Sequence, residues 1–219
     1  MVGIMQDPET FQTTPTPEAT PHDEALYDAL TGLPNERYFR AALDEAVATA
    51  PGNFGILFFD LDGLKAANDT SPDGHSGGDL LLKNMAAVLQ SQFRQEGAPD
   101  RQPDVVARLH GDEFAVLVRG TANSLLVHLV GAQRQEELEA QGIKTSVGAA
   151  LHFASETADD TLNRADRAMY DNKRLRRREG FSPEQLGALA EIDDIANRYG
   201  IDLRQAVGAI DALRNQAER

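Results

Sequence analysis

The chain has 219 residues, 41% of them hydrophobic, which is room for one well-buried core with appendages. Its formal net charge of −14 argues against nucleic acid as a partner, and the absence of cysteine excludes disulfides and thiolate metal sites. No apolar run approaches the length of a membrane span and no charged-then-apolar leader opens the sequence, so a cytoplasmic protein without a membrane partner is expected.

Residues 1–22 contain T-T-P-T-P-E-A-T-P, where repeated Pro removes donors and blocks helix, and a disordered tail is expected. Residues 23–179 then alternate helical and strand-like segments. Helices are expected over 23–30 and 35–49, with a strand over 54–59. Leu81, Leu82, Met85, Val88 and Leu89 recur at helical spacing and predict a helix over 78–93. Two apolar runs joined by a Gly-containing turn predict a hairpin over 105–119. A helix near 124–141, a strand over 144–153 and a helix over 159–178 complete the unit. In 180–219, Ser182-Pro183-Glu184 is an N-cap start, Gly200 a stop and Asp202 a second N-cap, which predicts a two-helix extension. Val207, Ile210 and Leu213 share one face there, suited to packing on the domain itself or on a second copy. This order predicts an α/β (α+β) fold with a central mixed sheet flanked by helices.

The hairpin reads V-V-A-R-L-H-G-D-E-F-A-V-L-V-R, with Asp112 and Glu113 at its tip. Adjacent exposed acids add nothing to a core, and their repulsion is a cost unless a cation relieves it. Residues 54–62, F-G-I-L-F-F-D-L-D, form a second apolar strand that also ends in two acids. Hard oxygen ligands at two strand ends suit Mg²⁺, which takes one or two carboxylates and leaves its other positions to phosphates and water. Taken alone, strand-end acids also cap neighbouring amides or face solvent.

The stretch H-G-D-E-F (110–114) resembles the signature of the GGDEF family, the diguanylate cyclases, with His110 in place of the first Gly. Residues 28–37 (D-A-L-T-G-L-P-N-E-R) are similar to the family's opening D-x-L-T-G-L-x-N-R, with Glu36 as an extra residue. Residues 60–79 resemble D-x-D-x-F-K-x-x-N-D-x-x-G-H-x-x-G-D, with two extra residues around 71–73. T-S-V-G-A-A-L (145–151) and A-D-R-A-M-Y-D-N-K (165–173) resemble the family's later strand and helix motifs. The motifs occur in order at near-standard spacing across roughly residues 25–178, which makes the set far more specific than one pentapeptide.

The resemblance implies a palm-like, ferredoxin-related domain over 23–179 that condenses two GTP into cyclic di-GMP. It also implies roles residue by residue. Asp60, Asp112 and the Leu61 carbonyl would hold Mg²⁺ (or Mn²⁺), and Glu113 would be a further ligand or help deprotonate the attacking hydroxyl. Asn68 and Asp79 match guanine-reading positions, though Asn68 also suits a helix C-cap and turn and Asp79 an N-cap. His75, His110 and Gly111 lie where the nucleotide is contacted. Lys65, Lys173 and Arg177 match phosphate-contacting positions, while a basic last turn also complements a helix dipole. Arg101 and Asp104 form an R-x-x-D ending shortly before His110, the spacing of the family's inhibitory c-di-GMP site; a solvated charged loop reads the same way. A homodimer is expected, because two GTP-loaded copies must face each other. The rival from another class is a catalytically silent module that binds GTP or c-di-GMP as a receptor or scaffold.

Overall fold

The computed structural model describes residues 25–70, 76–94, 102–179 and 192, with the side chains of 70 and 175–179 outside that description. The tail over 1–22, the two-residue insertion at 71–73, His75, Arg101 and, apart from Ile192, the extension over 180–219 lie outside the described residues.

Helix α1 (Glu36–Thr49) opens on Asn35, whose side chain accepts from the Tyr38 N–H, and it carries Glu36 in its positive first turn. Strand β1 (Phe54–Leu61), the short helix α2 (Leu64–Thr70) and helix α3 (Ser76–Gln92) follow. Strands β2 (Val105–His110) and β3 (Glu113–Arg119) form the hairpin. Helix α4 (Ser124–Ala140), capped by Asn123, strand β4 (Thr145–Leu151) and helix α5 (Ala158–Glu179) complete the domain.

The described strands form one four-stranded sheet in the order β2-β3-β1-β4. All three pairings are antiparallel, which corrects the expected mixed sheet. The reason is topological. Each helical crossover returns the chain so that β1 runs with β2 and β3 with β4. The hairpin then inserts β3 between β1 and β2, and parallel strands are never neighbours. This is the split β-α-β arrangement of ferredoxin-like folds.

Both faces of the sheet are covered. Leu57, Phe59, Val116 and Val147 pack with Leu82, Met85 and Leu89 of α3 and with Val127 of α4. On the other face, Ile56, Phe58, Ala115 and Leu117 pack with Phe39 and Leu43 of α1 and with Leu162 and Met169 of α5. Burial on both faces explains why β1 reads as a continuous apolar run rather than an alternating one. Gly148 lets α5 lie directly on β4: a Cβ there would stand 2.1 Å from the Ala165 carbonyl and the Met169 nitrogen.

The helix expected over 23–30 is not formed in its described part. The Asp28 carboxylate instead accepts from the Thr31 N–H (2.9 Å) and hydroxyl (2.6 Å), and Gly32 follows at φ +72°. A side chain satisfying the backbone locally competes with the helical ladder, and here it wins.

Candidate active site

The tip of the hairpin is a two-residue turn, Gly111-Asp112, between His110 and Glu113. Gly111 takes φ +54°, and among the described residues no residue other than Gly has positive φ. The left-handed position of the signature therefore falls on its intact Gly. His110 closes β2 with ordinary strand geometry, so the tolerance of His for left-handed backbone is not drawn upon. A bulge between Arg108 and His110 leaves Leu109 unpaired in the ladder and aligns His110 with Glu113.

The tip is tied down from two sides. The Leu61 N–H donates to the Asp112 carbonyl at 3.0 Å, joining the turn to the end of β1. Arg108 donates to the Gly111 carbonyl from Nε (3.0 Å) and Nη2 (2.7 Å), while its Nη1 reaches both Asp28 oxygens at 3.0 and 3.1 Å. One guanidinium thus clamps the opening motif to the signature turn. Burial pushes the Asp28 carboxyl up, but the bonds from Thr31 and Arg108 outweigh it and hold the group below its ordinary range. Sequence reading passed over Arg108, although a lone Arg in the run V-V-A-R-L is the signal that could have found it.

Asp60 and Glu113 are directly opposed in the β1–β3 register, which brings the two acidic strand ends together. On the other side of β1, Asp60 is paired with Ser146 in β4. Thr145 donates its hydroxyl to the Asp60 carbonyl (2.8 Å), and Ser146 donates to Asp62 Oδ2 (3.0 Å). Lys173 Nζ donates to Asp60 Oδ2 and lies 3.2 Å from Asp62 Oδ1. It stands one helical turn beyond Met169, so the close seat of α5 on β4 delivers it to the acids. Burial pulls the Lys173 ammonium down, yet its bond to Asp60 and the charges of Asp60 and Asp62 hold it above its ordinary value. Asp62 was read from the sequence only as the second acid ending the β1 segment, with no role of its own; its place beside Lys173 emerges only from the fold.

Burial pushes the Glu113 carboxyl up; His110 opposes this, while the charges of Asp166, Asp112 and Asp60 add to it, leaving the group above its ordinary range. His110 Nε2 lies 2.8 Å from Glu113 Oε2. The Lys173 ammonium and the His110 imidazole are therefore drawn to the acids expected to hold a metal. Among the described residues no three His, Asp or Glu side chains converge in metal-binding geometry. The donor chemistry nevertheless fits a hard divalent cation, because Mg²⁺ needs only one or two carboxylates when phosphates and water fill its other positions.

Of the other expected site residues, Asn68 lies in α2 and its Oδ1 accepts from the Gly78 N–H at 3.1 Å. That approach needs Gly, since a Cβ on residue 78 would stand 2.2 Å from the same oxygen. Asn68 thus joins α2 to the first turn of α3, where Asp79 is exposed. Lys65 is exposed on α2, and Arg177 lies in α5 with its side chain outside the described residues.

Asp104 stands roughly 20 Å from the tip, at the other end of the hairpin. Its side chain is 4% exposed and accepts from Arg94 N (3.2 Å), Nε (3.0 Å) and Nη2 (2.7 Å) and from the Arg119 N–H (2.8 Å). Beside it, Tyr38, Glu45, Gln102 and Arg119 line a cleft of about 430 Å³. Arg119 is bound within it, to Gln102 Oε1 (2.7 Å) and Glu45 Oε2 (2.8 Å).

A split β-α-β sheet with opposed acids at a hairpin tip defines the class of this domain. The family model "Diguanylate cyclase, GGDEF domain" matches residues 25–179, and the chain belongs to that family. It is 34% identical over 171 residues to diguanylate cyclase DgcS of Shewanella oneidensis, covering 74% of this chain and 55% of DgcS. It is 32% identical over 167 residues to diguanylate cyclase TpbB of Pseudomonas aeruginosa, covering 70% of this chain and 36% of TpbB. The chain thus spans about half or less of the length of these relatives. Among solved structures, the coiled coil and GGDEF domain of DgcB from Caulobacter crescentus, in complex with c-di-GMP, superposes with TM-score 0.60 at 26% identity, covering 74% of this chain and 85% of that one. The GGDEF domain of TpbB gives TM-score 0.58 at 32% identity, with 68% and 89% covered. No described helix is long and apolar enough to cross a membrane.

Proposed function

We propose that the chain is a diguanylate cyclase that condenses two GTP into cyclic di-GMP and two pyrophosphates. The observation that carries the reading is the concentration of Asp60, Asp112 and Glu113 at one end of the two central strands, with Asp60 opposite Glu113 in register and all three partly buried. Such an arrangement costs stability in a fold that needs no cation there. Asp60, Asp112, Glu113 and the Leu61 carbonyl would hold Mg²⁺ (or Mn²⁺), which when bound acidifies a hydroxyl and neutralises charge growing on phosphoryl oxygens. Glu113, with its carboxyl held above the ordinary range, suits removal of the proton from the attacking 3′-hydroxyl. The 3′-oxygen bonds to the α-phosphorus of the second GTP, and the bond to the β-phosphate oxygen breaks to release pyrophosphate.

Lys173 would exchange its carboxylate partners for phosphate oxygens, with Lys65 and Arg177 adding charge. Asn68 and Asp79 would read the guanine, while His75, His110 and Gly111 approach the nucleotide. Ring closure needs two loaded sites face to face, so the working unit is a homodimer. Product feedback through Arg101 and Asp104 belongs to the same reading, with one condition: an Asp104 committed to Arg94 must be released before it accepts from a base.

The second reading, a silent receptor for GTP or c-di-GMP, draws its support from the pairing of His110 with Glu113. The test is to incubate the protein with Mg²⁺ and GTP, with and without ATP, and identify products by mass and chromatography. Cyclic di-GMP from GTP alone is the expected result. No turnover at high protein concentration, with either nucleotide still bound, would move the assignment to the receptor.

A further inference from the structure

Gln135 stands in the buried stripe of α4, among Val127, Gly131, Ala132 and Leu138, and is 0% exposed. A buried amide costs stability unless its groups are bonded, and this one is bonded on both sides. Its Nε2 donates to the Thr145 carbonyl at 2.6 Å and more distantly to Glu139 Oε1 (3.4 Å), while its Oε1 accepts from Asn172 Nδ2 at 3.4 Å. β4 is an edge strand. The Lys144 carbonyl turns inward to the Asp62 N–H, so alternation turns the Thr145 carbonyl out to the free edge. Gln135 covers that edge, and with Asn172 it links two helices that pack on opposite faces of the sheet.

Both arms of this link lead to the acids at the end of β1. Thr145, held at its carbonyl, donates its hydroxyl to the Asp60 carbonyl at 2.8 Å, and the next residue, Ser146, donates to Asp62. Asn172 directly precedes Lys173, whose ammonium reaches Asp60 and Asp62. Asn172 Oδ1 is buried without a hydrogen-bond partner among the described residues, so Nδ2 alone anchors that amide.

We propose that Gln135 is a positioning residue for the nucleotide site: it fixes the register of α5 against the first residue of β4, so that Lys173 stands where it can pass from Asp60 to the triphosphate. The inference rests on the phosphate role given to Lys173 above. Gln135 acts through Lys173 and touches no reacting atom. The seat of Ala165 and Met169 on Gly148 does not involve it, so the fold survives its loss while the turn carrying Lys173 shifts.

The test uses the full chain with Mg²⁺ and a GTP analogue carrying a methylene between the α- and β-phosphates, its affinity read by calorimetry. Gln135→Met keeps the length and burial of the side chain but loses both bonds. It should weaken the analogue and raise KM for GTP about tenfold each, with kcat and melting temperature little changed. Asn172→Ala cuts only the α5 arm; it should weaken the analogue about threefold, and it carries the test if Gln135→Met does not fold. In a Lys173→Ala chain neither substitution should weaken binding further. Equal weakening with and without Lys173, or a fall in kcat alone with affinity unchanged, would overturn the proposal and leave Gln135 as a cover for the strand edge. Lys173→Ala by itself separates the two levels. If it leaves the affinity intact, the phosphate role fails and this inference with it; if it weakens binding while the other two substitutions do not, the positioning role fails alone.

Discussion

At the base of the β2–β3 hairpin, Asp104 is 4% exposed and accepts from four donors of Arg94 and Arg119. At the tip of the same hairpin, Glu113 shares one imidazole with solvent, while Asp112 and Asp60 crowd it with like charge. The acids at the base have donors in fixed directions, including backbone N–H groups that cannot leave. Those at the tip have side-chain partners, the Lys173 ammonium and the His110 imidazole, that can. An acid held by backbone donors is built into the fold; one whose partners are mobile side chains is available to a ligand. Lys173 is the clearest case, since an ammonium on a flexible stem can trade carboxylate oxygens for phosphate oxygens without disturbing α5.

The contrast can be broken most sharply at Asp112. Asp112→Ala should lower cyclic di-GMP formation by at least about a thousandfold, measured as product from GTP, because it removes charge aimed at the reacting phosphate. Asp104→Ala should do the opposite kind of damage. Leaving Arg94 and two backbone N–H groups without their acceptor should cost about 3 kcal/mol in urea unfolding, the low end for a buried pair because Arg94 is itself partly exposed. Asp79→Ala should relax the preference for GTP over ATP by about ten- to a hundredfold in competition assays, since a lost acceptor leaves guanine donors unpaired.

The smallest effect is expected at Asp28, which ties the opening motif to Arg108. Its carboxyl lies below the ordinary range in the folded protein, so its contribution is present above the unfolded value and fades as pH falls through the folded one. Asp28→Asn should therefore cost about 1–2 kcal/mol near pH 7, and the difference from wild type should shrink toward about pH 3.

How much of this was legible depends on the distance over which each feature is decided. The helices over 36–49 and 124–140 fall where the alternation of segments placed them, and the caps that start them, Asn35 and Asn123, are contacts only three residues long. The order of the motifs gave the domain and the hairpin gave the turn, both from local pattern. Strand order was not readable, because the apolar run of β1 says that both faces are covered but not which strands lie beside it. The helix expected over 23–30 failed on a competition at Asp28 that hydrophobic spacing cannot register. Arg108, Asp62 and the partners of Lys173 and Asp104 depend on residues tens of positions away, so only the packing of α5 on β4 and of the hairpin on β1 brings them into view.

Thermal melting of wild type and Asp112→Ala, each with and without GTP and Mg²⁺, tests most directly whether the tip serves a ligand rather than the fold. The fold uses the Asp112 backbone carbonyl, which alanine keeps. Without ligand the variant should melt at or above wild type, because a repulsive charge beside Glu113 is gone; GTP with Mg²⁺ should raise the melting temperature of wild type only. A variant that melts well below wild type and keeps the full ligand-induced rise would contradict the account.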